Sequence, residues 1–253
     1  MAFSRRTPVA RCSQTPDDRI AAIVFVLVHG AGSSSAHWYL VTPRLEQAGH
    51  QVIAVDLPNW PGATLADQAD AIVAAAEGTE HVVLVAQSMG GFSAPLACDR
   101  LPVDHLVLLN AMIPLPGETA GQWWDNTGQA AAVRANDLRE GRDPEAGFDP
   151  ATTFFHDLPA EVLEQVLESE SAEPAASLFE VPFDRPGWPD VPTTVLAGRD
   201  DRLFPFAFQR QVAAERLGLK AEPVPGGHLA ALSQPEALVG RLLRMAETID
   251  GRR

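Results

Sequence analysis

Three kinds of side chain in this sequence could together carry out nucleophilic catalysis, and each follows a predicted strand. Ser88 lies in the stretch AQSMGG, directly after the apolar run Val82–Val85. A serine hydroxyl becomes an effective nucleophile when a histidine takes its proton and a carboxylate orients that histidine. Downstream of Ser88, adjacent carboxylates follow a strand at Asp200 and Asp201, and the only later histidine is His228. The chain order nucleophile, acid, histidine is compatible with acyl transfer.

Ser88 is placed where a buried strand turns directly into a helix. Such a turn is sharp, so the residues two positions before and after the serine must be small if its Oγ is to be exposed. Ala86 and Gly90 meet this requirement, and Gly91 follows. Serine is also a common helix N-cap, which is the structural alternative for this position. The downstream carboxylates and histidine favour the nucleophile.

The tetrahedral intermediate of acyl transfer needs backbone N–H donors for its oxyanion. The amide of Met89 would lie at the N-terminus of the helix, where the helix dipole favours negative charge. A second donor is expected from the loop after the first long strand, where Gly30, Ala31 and Gly32 keep the backbone accessible. This loop lacks the G-x-G-x-x-G spacing and the Lys-Ser/Thr pair of nucleotide-binding loops, so we do not expect a phosphate site.

The elements that would position these residues alternate between strand and helix. Apolar runs predict strands at 20–28, 51–55, 82–85, 104–109, 193–197 and 220–224, and amphipathic spacing predicts helices at 37–48, 64–76, 206–217 and 235–249. This alternation predicts an α/β fold with a mostly parallel sheet and helices on both faces. Ligands of such sheets bind beyond the carboxyl ends of the strands, where the glycine loop, Ser88 and His228 fall.

The alternation breaks between residues 113 and 189. This segment contains prolines and acidic helices, and we interpret it as a cap inserted after the fourth predicted strand, not as a separate domain. The α/β core then comprises 20–112 and 190–253. Residues 1–19 carry no apolar stretch of the kind a secretion signal needs, and we predict a disordered leader there.

Within the predicted cap, one helix should begin near Pro159, with Asp157 as its N-cap. The cap also contains paired aromatic residues that could line a substrate pocket, although packing between cap and sheet would explain them nearly as well. These pocket candidates are Trp123, Trp124, Phe154 and Phe155.

Composition limits the possible partners. The net charge of −14 disfavours binding to nucleic acid or to an anionic membrane surface. The longest apolar run, 20–28, is far shorter than the ~20 residues of a membrane span. Cys12 and Cys98 show no metal or redox spacing, and neither do the histidines. We therefore expect a cytoplasmic protein with free thiols and no metal or cofactor, whose partner is a small molecule.

Five segments carry a resemblance to a known family: FVLVHGAG, AVDLP, VAQSMGG, AGRDDRLFP and GGHLAALSQPEAL. They resemble the α/β-hydrolase superfamily, and the stretch from the first segment through AGHQVIAVDL is similar to its plant branch of methylesterases and hydroxynitrile lyases. The resemblance covers 20–112 and 190–250. It implies an α/β-hydrolase fold with Ser88 as nucleophile, His228 as base, Asp201 as acid, and the amides of Ala31 and Met89 as oxyanion donors.

Several positions depart from the family pattern. Ala86 replaces the usual glycine before the nucleophile. The plant lyases carry Thr after the loop histidine and Lys after the catalytic histidine, where this chain has Gly30 and Leu229. Since the lyase lysine places its charge near the leaving cyanide, these departures favour hydrolysis.

We therefore predict a serine hydrolase that cleaves a small carboxylic ester or a related acyl substrate through an acyl-enzyme. The alternatives are a non-hydrolytic member of the same fold (a lyase, an acyl transferase or a cofactor-free perhydrolase) and a ligand-binding module without turnover. The dehalogenases and epoxide hydrolases of this fold use an aspartate nucleophile, which Ser88 argues against.

Overall fold

The computed structural model describes residues 23–168 and 173–251. The predicted leader, 1–19, and Cys12 lie outside the described residues. The centre of the molecule is a six-stranded sheet with the order β2-β1-β3-β4-β5-β6, in which every neighbouring pair is parallel. The strands are β1 (Val24–Val28), β2 (Gln51–Val55), β3 (Val82–Gln87), β4 (Val103–Leu109), β5 (Thr193–Gly198) and β6 (Glu222–Val224).

Helices connect these strands. In chain order they are α1 (Thr42–Gln47), α2 (Leu65–Ala75), α3 (Gly90–Ala97), α4 (Ala120–Thr127), α5 (Gln129–Arg139), α6 (Pro150–Thr153), α7 (Ala160–Glu168), α8 (Ser177–Glu180), α9 (Phe206–Leu217), α10 (Ala230–Ser233) and α11 (Pro235–Asp250). No helix in the described ranges is both long and apolar enough to cross a membrane.

Hydrophobic side chains fill both faces of the sheet. Because side chains alternate along a strand, β1 sends Val24, Val26 and Val28 into one core, and Phe25 and Leu27 into the other. The first core includes side chains of α2, α3 and α9, and the second includes side chains of α1 and α11. The predicted α/β fold with a parallel sheet and helices on both faces is confirmed.

The strand order determines where a ligand can bind. The chain runs from β1 outward to β2 and then returns to place β3 on the other side of β1. The connections leaving β1 and β3 therefore diverge and open a crevice at the carboxyl ends of these two strands. The glycine loop 29–32 follows β1, and Ser88 follows β3.

The single helix predicted for 37–48 is wrong. The structure has a short 3-10 helix at Ser35–Trp38, and α1 begins only at Thr42. Pro43 explains the break, because proline has no N–H to donate and its ring clashes with the carbonyl four residues earlier, so it fits the first turn of α1 but not the interior of one helix over 37–48. Trp38 and Leu45 are nevertheless fully buried, as the apolar spacing indicated.

The helices α4 to α8 occupy the segment between β4 and β5 that we interpret as a cap. The helix expected near Pro159 is present as α7, but the predicted capping role of Asp157 is wrong. The Asp157 carboxylate instead accepts a hydrogen bond from the backbone N–H of Gly227, far away in sequence. Its other oxygen is buried without a hydrogen-bond partner.

Candidate active site

Ser88 connects β3 to α3 in a strained backbone conformation. Its φ of +52° lies in the left-handed region, which is uncommon for any residue but glycine. The turn is held by its own backbone: the Ser88 N–H donates to Leu109 O at 3.3 Å, and the Met112 N–H donates to Ser88 O at 2.9 Å. A Cβ on Gly30 would lie 2.6 Å from the Ser88 Cβ, so a larger residue at position 30 of this chain would force the turn to shift. The predicted sharp turn is present.

His228 lies between the other two predicted residues. Its Nε2 is 3.1 Å from the Ser88 Oγ, and its Nδ1 is 2.9 Å from Asp201 Oδ2. Asp201 and His228 are each only 2% exposed. When Nδ1–H donates to the carboxylate, Nε2 is left as the acceptor that faces the serine hydroxyl. The arrangement is therefore suited to removing a proton from Ser88.

The structure distinguishes the two candidate carboxylates. Asp201 points inward, and its second oxygen accepts hydrogen bonds from the N–H groups of Leu203 and Phe204, at 2.9 and 2.8 Å. Asp200 is exposed and accepts instead from the backbone of Gly226 at 3.3 Å. Asp201 is thus the carboxylate that contacts His228.

Asn110, at the end of β4, is a buried polar residue that the sequence analysis did not assign to the site. Its backbone is left-handed, with φ of +47°. Its Nδ2 donates to the carbonyls of Gly227 and His228, at 2.9 and 3.1 Å, and its Oδ1 accepts from the Gly198 N–H at 2.6 Å. Asn110 therefore ties the end of β5 to the loop that carries His228. A polar residue directly after an apolar strand was the available signal.

The glycine loop after β1 is braced by His29. The Leu57 N–H donates to His29 Nε2 at 3.1 Å, which leaves Nδ1 as the donor to Gly30 O at 2.7 Å. These two bonds require the neutral ring with its proton on Nδ1. Burial lowers the pKa of His29, which favours the neutral ring. Ala31, in this loop, and Met89 both line the same cavity as Ser88.

A second buried histidine lies close to the site. His37 is 6% exposed, and burial together with the proximity of His29 and His228 lowers its pKa to about 3. His37 is therefore neutral at ordinary pH and adds no positive charge next to His228. A lone histidine carries no spacing signal, so only the structure shows that His37 lies beside the site.

Ser88 and His228 open into a cavity of about 1470 Å³. Of the aromatic residues predicted to line a pocket, Trp124, Phe154 and Phe155 do so. The prediction for Trp123 is wrong: its side chain is 1% exposed, and its Nε1–H donates to Ile113 O in the core. In the described parts of the chain, no group of three or more His, Cys, Asp or Glu side chains could hold a metal ion.

Comparisons with known proteins identify the family to which this fold belongs. A model of the alpha/beta hydrolase family matches residues 25–241. The pyrethroid hydrolase of Sphingobium wenxiniae is 29% identical over 250 residues, which cover 88% of this chain and 87% of that protein. The alpha-hydroxynitrile lyase of Arabidopsis thaliana is 26% identical over 248 residues, which cover 88% of this chain and 96% of that protein.

Solved structures show the same fold. A crystal structure of polyneuridine aldehyde esterase matches with a TM-score of 0.71 at 23% identity, covering 89% of this chain and 99% of that chain. The resemblance noted from the sequence segments is confirmed, and the relatives include esterases as well as a lyase. The chain belongs to the alpha/beta hydrolase family.

Proposed function

We propose that this protein is a serine hydrolase that cleaves a carboxylic ester with Ser88, His228 and Asp201 as its catalytic triad. The observation that carries the proposal is the position of His228, whose two ring nitrogens lie within hydrogen-bond distance of the Ser88 hydroxyl and the Asp201 carboxylate. The strained backbone of Ser88 presents its Oγ to the cavity, which supports the same role.

The mechanism follows from this geometry. Ser88 Oγ attacks the ester carbonyl while His228 Nε2 takes its proton, and Asp201 stabilises the resulting imidazolium. The backbone amides of Ala31 and Met89 bind the oxyanion, and loss of one such donor costs roughly 3–4 kcal/mol of transition-state stabilisation. His228 then returns the proton to the leaving alcohol. Water activated by His228 releases the acid and regenerates Ser88.

Leu229 supports hydrolysis over the lyase alternative. It follows the histidine directly, at the position where the plant lyases carry a lysine, and it lines the cavity. An apolar side chain there offers no charge to stabilise a departing cyanide. The chain's single lysine, Lys220, lies outside the residues that line this cavity.

The cavity favours a larger ester than the small one expected from the sequence. Pockets for drug-sized ligands have volumes of ~300–1,000 Å³, whereas this cavity measures about 1470 Å³. Aromatic side chains form part of its wall, including Trp124, Phe154, Phe155 and Phe179. We therefore propose that at least one side of the ester is bulky and apolar.

A fluorophosphonate probe tests whether Ser88 is the nucleophile. The wild-type protein should be labelled and Ser88→Ala should not, while Ser177→Ala, a serine outside the cavity, should be labelled as wild type. Absence of labelling in the folded wild-type protein would refute the proposal. Hydrolysis in H₂¹⁸O should place solvent oxygen in the released acid, which separates a hydrolase from a transferase or a lyase.

A series of p-nitrophenyl esters tests the size of the substrate. Each additional buried CH₂ contributes about 0.8 kcal/mol, which corresponds to about a fourfold rise in kcat/KM. We expect kcat/KM to rise from acetate to octanoate. A maximum at acetate would contradict a bulky acyl side, and the proposal would then require kcat/KM to rise along a series of acetate esters with increasingly bulky alcohols. A fall along both series would overturn the proposal of a bulky substrate and leave the serine mechanism intact.

A further inference from the structure

The loop that carries His228 lies between β6 and α10, outside regular secondary structure, and side chains from elsewhere hold it. Gly226 has a left-handed backbone with φ of +95°. From the sheet side, Asn110 donates to the carbonyls of Gly227 and His228, and Asp200 accepts from the Gly226 N–H. These bonds connect the loop to the ends of β4 and β5.

Asp157 holds the same loop from the opposite side, and it belongs to the inserted segment. Its Oδ2 accepts from the Gly227 N–H at 2.6 Å, the shortest of the bonds given above for this loop. A Cβ on Gly227 would lie 2.8 Å from His156 Nε2 and 3.0 Å from Asp157 Oδ1, so these two side chains pack directly against the Gly227 backbone. The Asp157 side chain therefore fills the space directly against the residue that precedes His228.

Further contacts join the inserted segment to the proposed triad. The ring of Phe154 lies 5.4 Å from the His228 ring, measured between centroids. Arg202, the residue after Asp201, donates from Nη1 to the carbonyl of Thr152 at 2.9 Å. The segment from Thr152 to Asp157 thus contacts both the histidine and the neighbour of the acid.

We propose that Asp157 is a positioning residue for His228, and that through it the inserted segment controls the base of the reaction. The inference rests on the proposed function. His228 Nε2 must stay close to Ser88 Oγ, and an error of about 1 Å in such a position can cost ~100-fold in rate. The ladder between β5 and β6 reaches this loop only as far as Gly226, whose carbonyl accepts from the Asp200 N–H at 3.1 Å. Beyond that point, side chains bond the Gly227 N–H and the carbonyls of Gly227 and His228. Asp157 supplies the restraint on the cap side.

Substitutions at Asp157 test this role. Asp157→Ala removes the acceptor for the Gly227 N–H, whereas Asp157→Asn keeps an acceptor oxygen and can place its NH₂ where the unpartnered Oδ1 lies. Asp149→Ala is the matched control, because Asp149 caps α6 in the same segment without touching the histidine loop. The measurements are the rate constant for fluorophosphonate labelling, kcat and KM on a p-nitrophenyl ester, and hydrogen exchange of residues 225–229.

We expect Asp157→Ala to lower the labelling rate and kcat by about tenfold or more, with KM within about threefold and with faster exchange of the loop. Asp157→Asn should stay close to wild type, and Asp149→Ala should lower only thermal stability. A labelling rate for Asp157→Ala within about twofold of wild type would overturn the proposal, and so would an equal loss in Asp149→Ala. If the alanine variant does not fold, Asp157→Ser, one atom too short to reach the N–H, replaces it.

The result also separates this inference from the proposed function. If the wild-type protein is not labelled, the serine mechanism fails, and hydrogen exchange alone then decides the role of Asp157. Faster exchange of the loop in Asp157→Ala would support the restraint, and unchanged exchange would overturn it.

Discussion

Replacing Asp201 by Asn reverses the hydrogen bond that orients His228. The N–H groups of Leu203 and Phe204 both donate to Asp201 Oδ1, so the oxygen of an asparagine must occupy that position. Its NH₂ group then occupies the position of Oδ2, 2.9 Å from His228 Nδ1. Nδ1 must now accept, the ring proton moves to Nε2, and Nε2 can no longer take the proton of Ser88.

The magnitude follows from this change of tautomer. In serine triads the same substitution leaves the geometry intact and lowers kcat by about 10⁴, which corresponds to about 5 kcal/mol in the activation free energy. A repulsive contact adds to the effect, because Gln209 Nε2 lies 3.3 Å from Oδ2 and would face the new NH₂ group. We therefore expect a loss of about 10⁴ in kcat.

The assay is steady-state hydrolysis of a p-nitrophenyl ester, with the rate of Ser88→Ala subtracted as background. The matched control is Asp200→Asn, since Asp200 is exposed and an asparagine can still accept from the Gly226 N–H. We expect this control to stay within about threefold of wild type, because the Gly226 N–H keeps its acceptor and the Asp201–His228 contact is unchanged. A loss in kcat of less than about tenfold in Asp201→Asn would refute the reasoning, and so would a loss of more than about threefold in Asp200→Asn.

Three further predictions concern packing and charge. In Gly91→Ala, the new Cβ would overlap the carbonyl of Met112, so we expect a fall in Tm or a loss of soluble protein, and an unchanged Tm would contradict this packing. Glu118 and Arg216 form a buried ion pair, with side chains 3% and 7% exposed, so Glu118→Gln should cost about 3–5 kcal/mol in urea unfolding at pH 7. Burial opposes ionisation of Glu118, but hydrogen bonds from Arg216, Asn126 and the Leu115 N–H, together with the charge of Arg216, outweigh it and hold the pKa of Glu118 below its ordinary value. The stabilisation that ionised Glu118 gives to the fold is therefore fully present above the unfolded pKa of ~4.3 and is lost as the pH falls through the lower folded pKa. The difference in unfolding free energy between wild type and Glu118→Gln should therefore become smaller in acid. Burial lowers the pKa of His37 to about 3, so this residue should stay neutral above pH 5. We therefore expect the fall in hydrolysis rate at acid pH to be the same in His37→Asn as in wild type. If His37→Asn no longer shows that fall, His37 is the group that titrates there.

Local patterns in the sequence predicted much of the fold. Helix α9 has the predicted bounds, Phe206–Leu217, and β2 has the predicted bounds, Gln51–Val55. The alternation of strands and helices along the chain could be inferred because buried strands and amphipathic helices differ in the period of their apolar residues. The break at Thr42 was missed because burial spacing continues through it, with Trp38 and Leu45 both buried.

The sequence by itself determined which residue types stand at the ends of the strands: Ser88, the Asp200–Asp201 pair and His228. It could do so because a parallel sheet gathers the ends of its strands at one edge, whatever the details of packing. The tertiary structure decided between neighbours in the chain. Asp201 contacts His228 while Asp200 faces solvent, because a single turn points the two side chains in different directions.

Two neighbouring tryptophans also point in different directions: Trp124 lines the cavity, and Trp123 is packed in the core. Apolar and aromatic composition indicates that a residue will be buried, but it does not say against what. The bond from Gly227 to Asp157 joins positions 70 residues apart. No local pattern carries such a contact, so only the folded chain shows that the inserted segment reaches the proposed base.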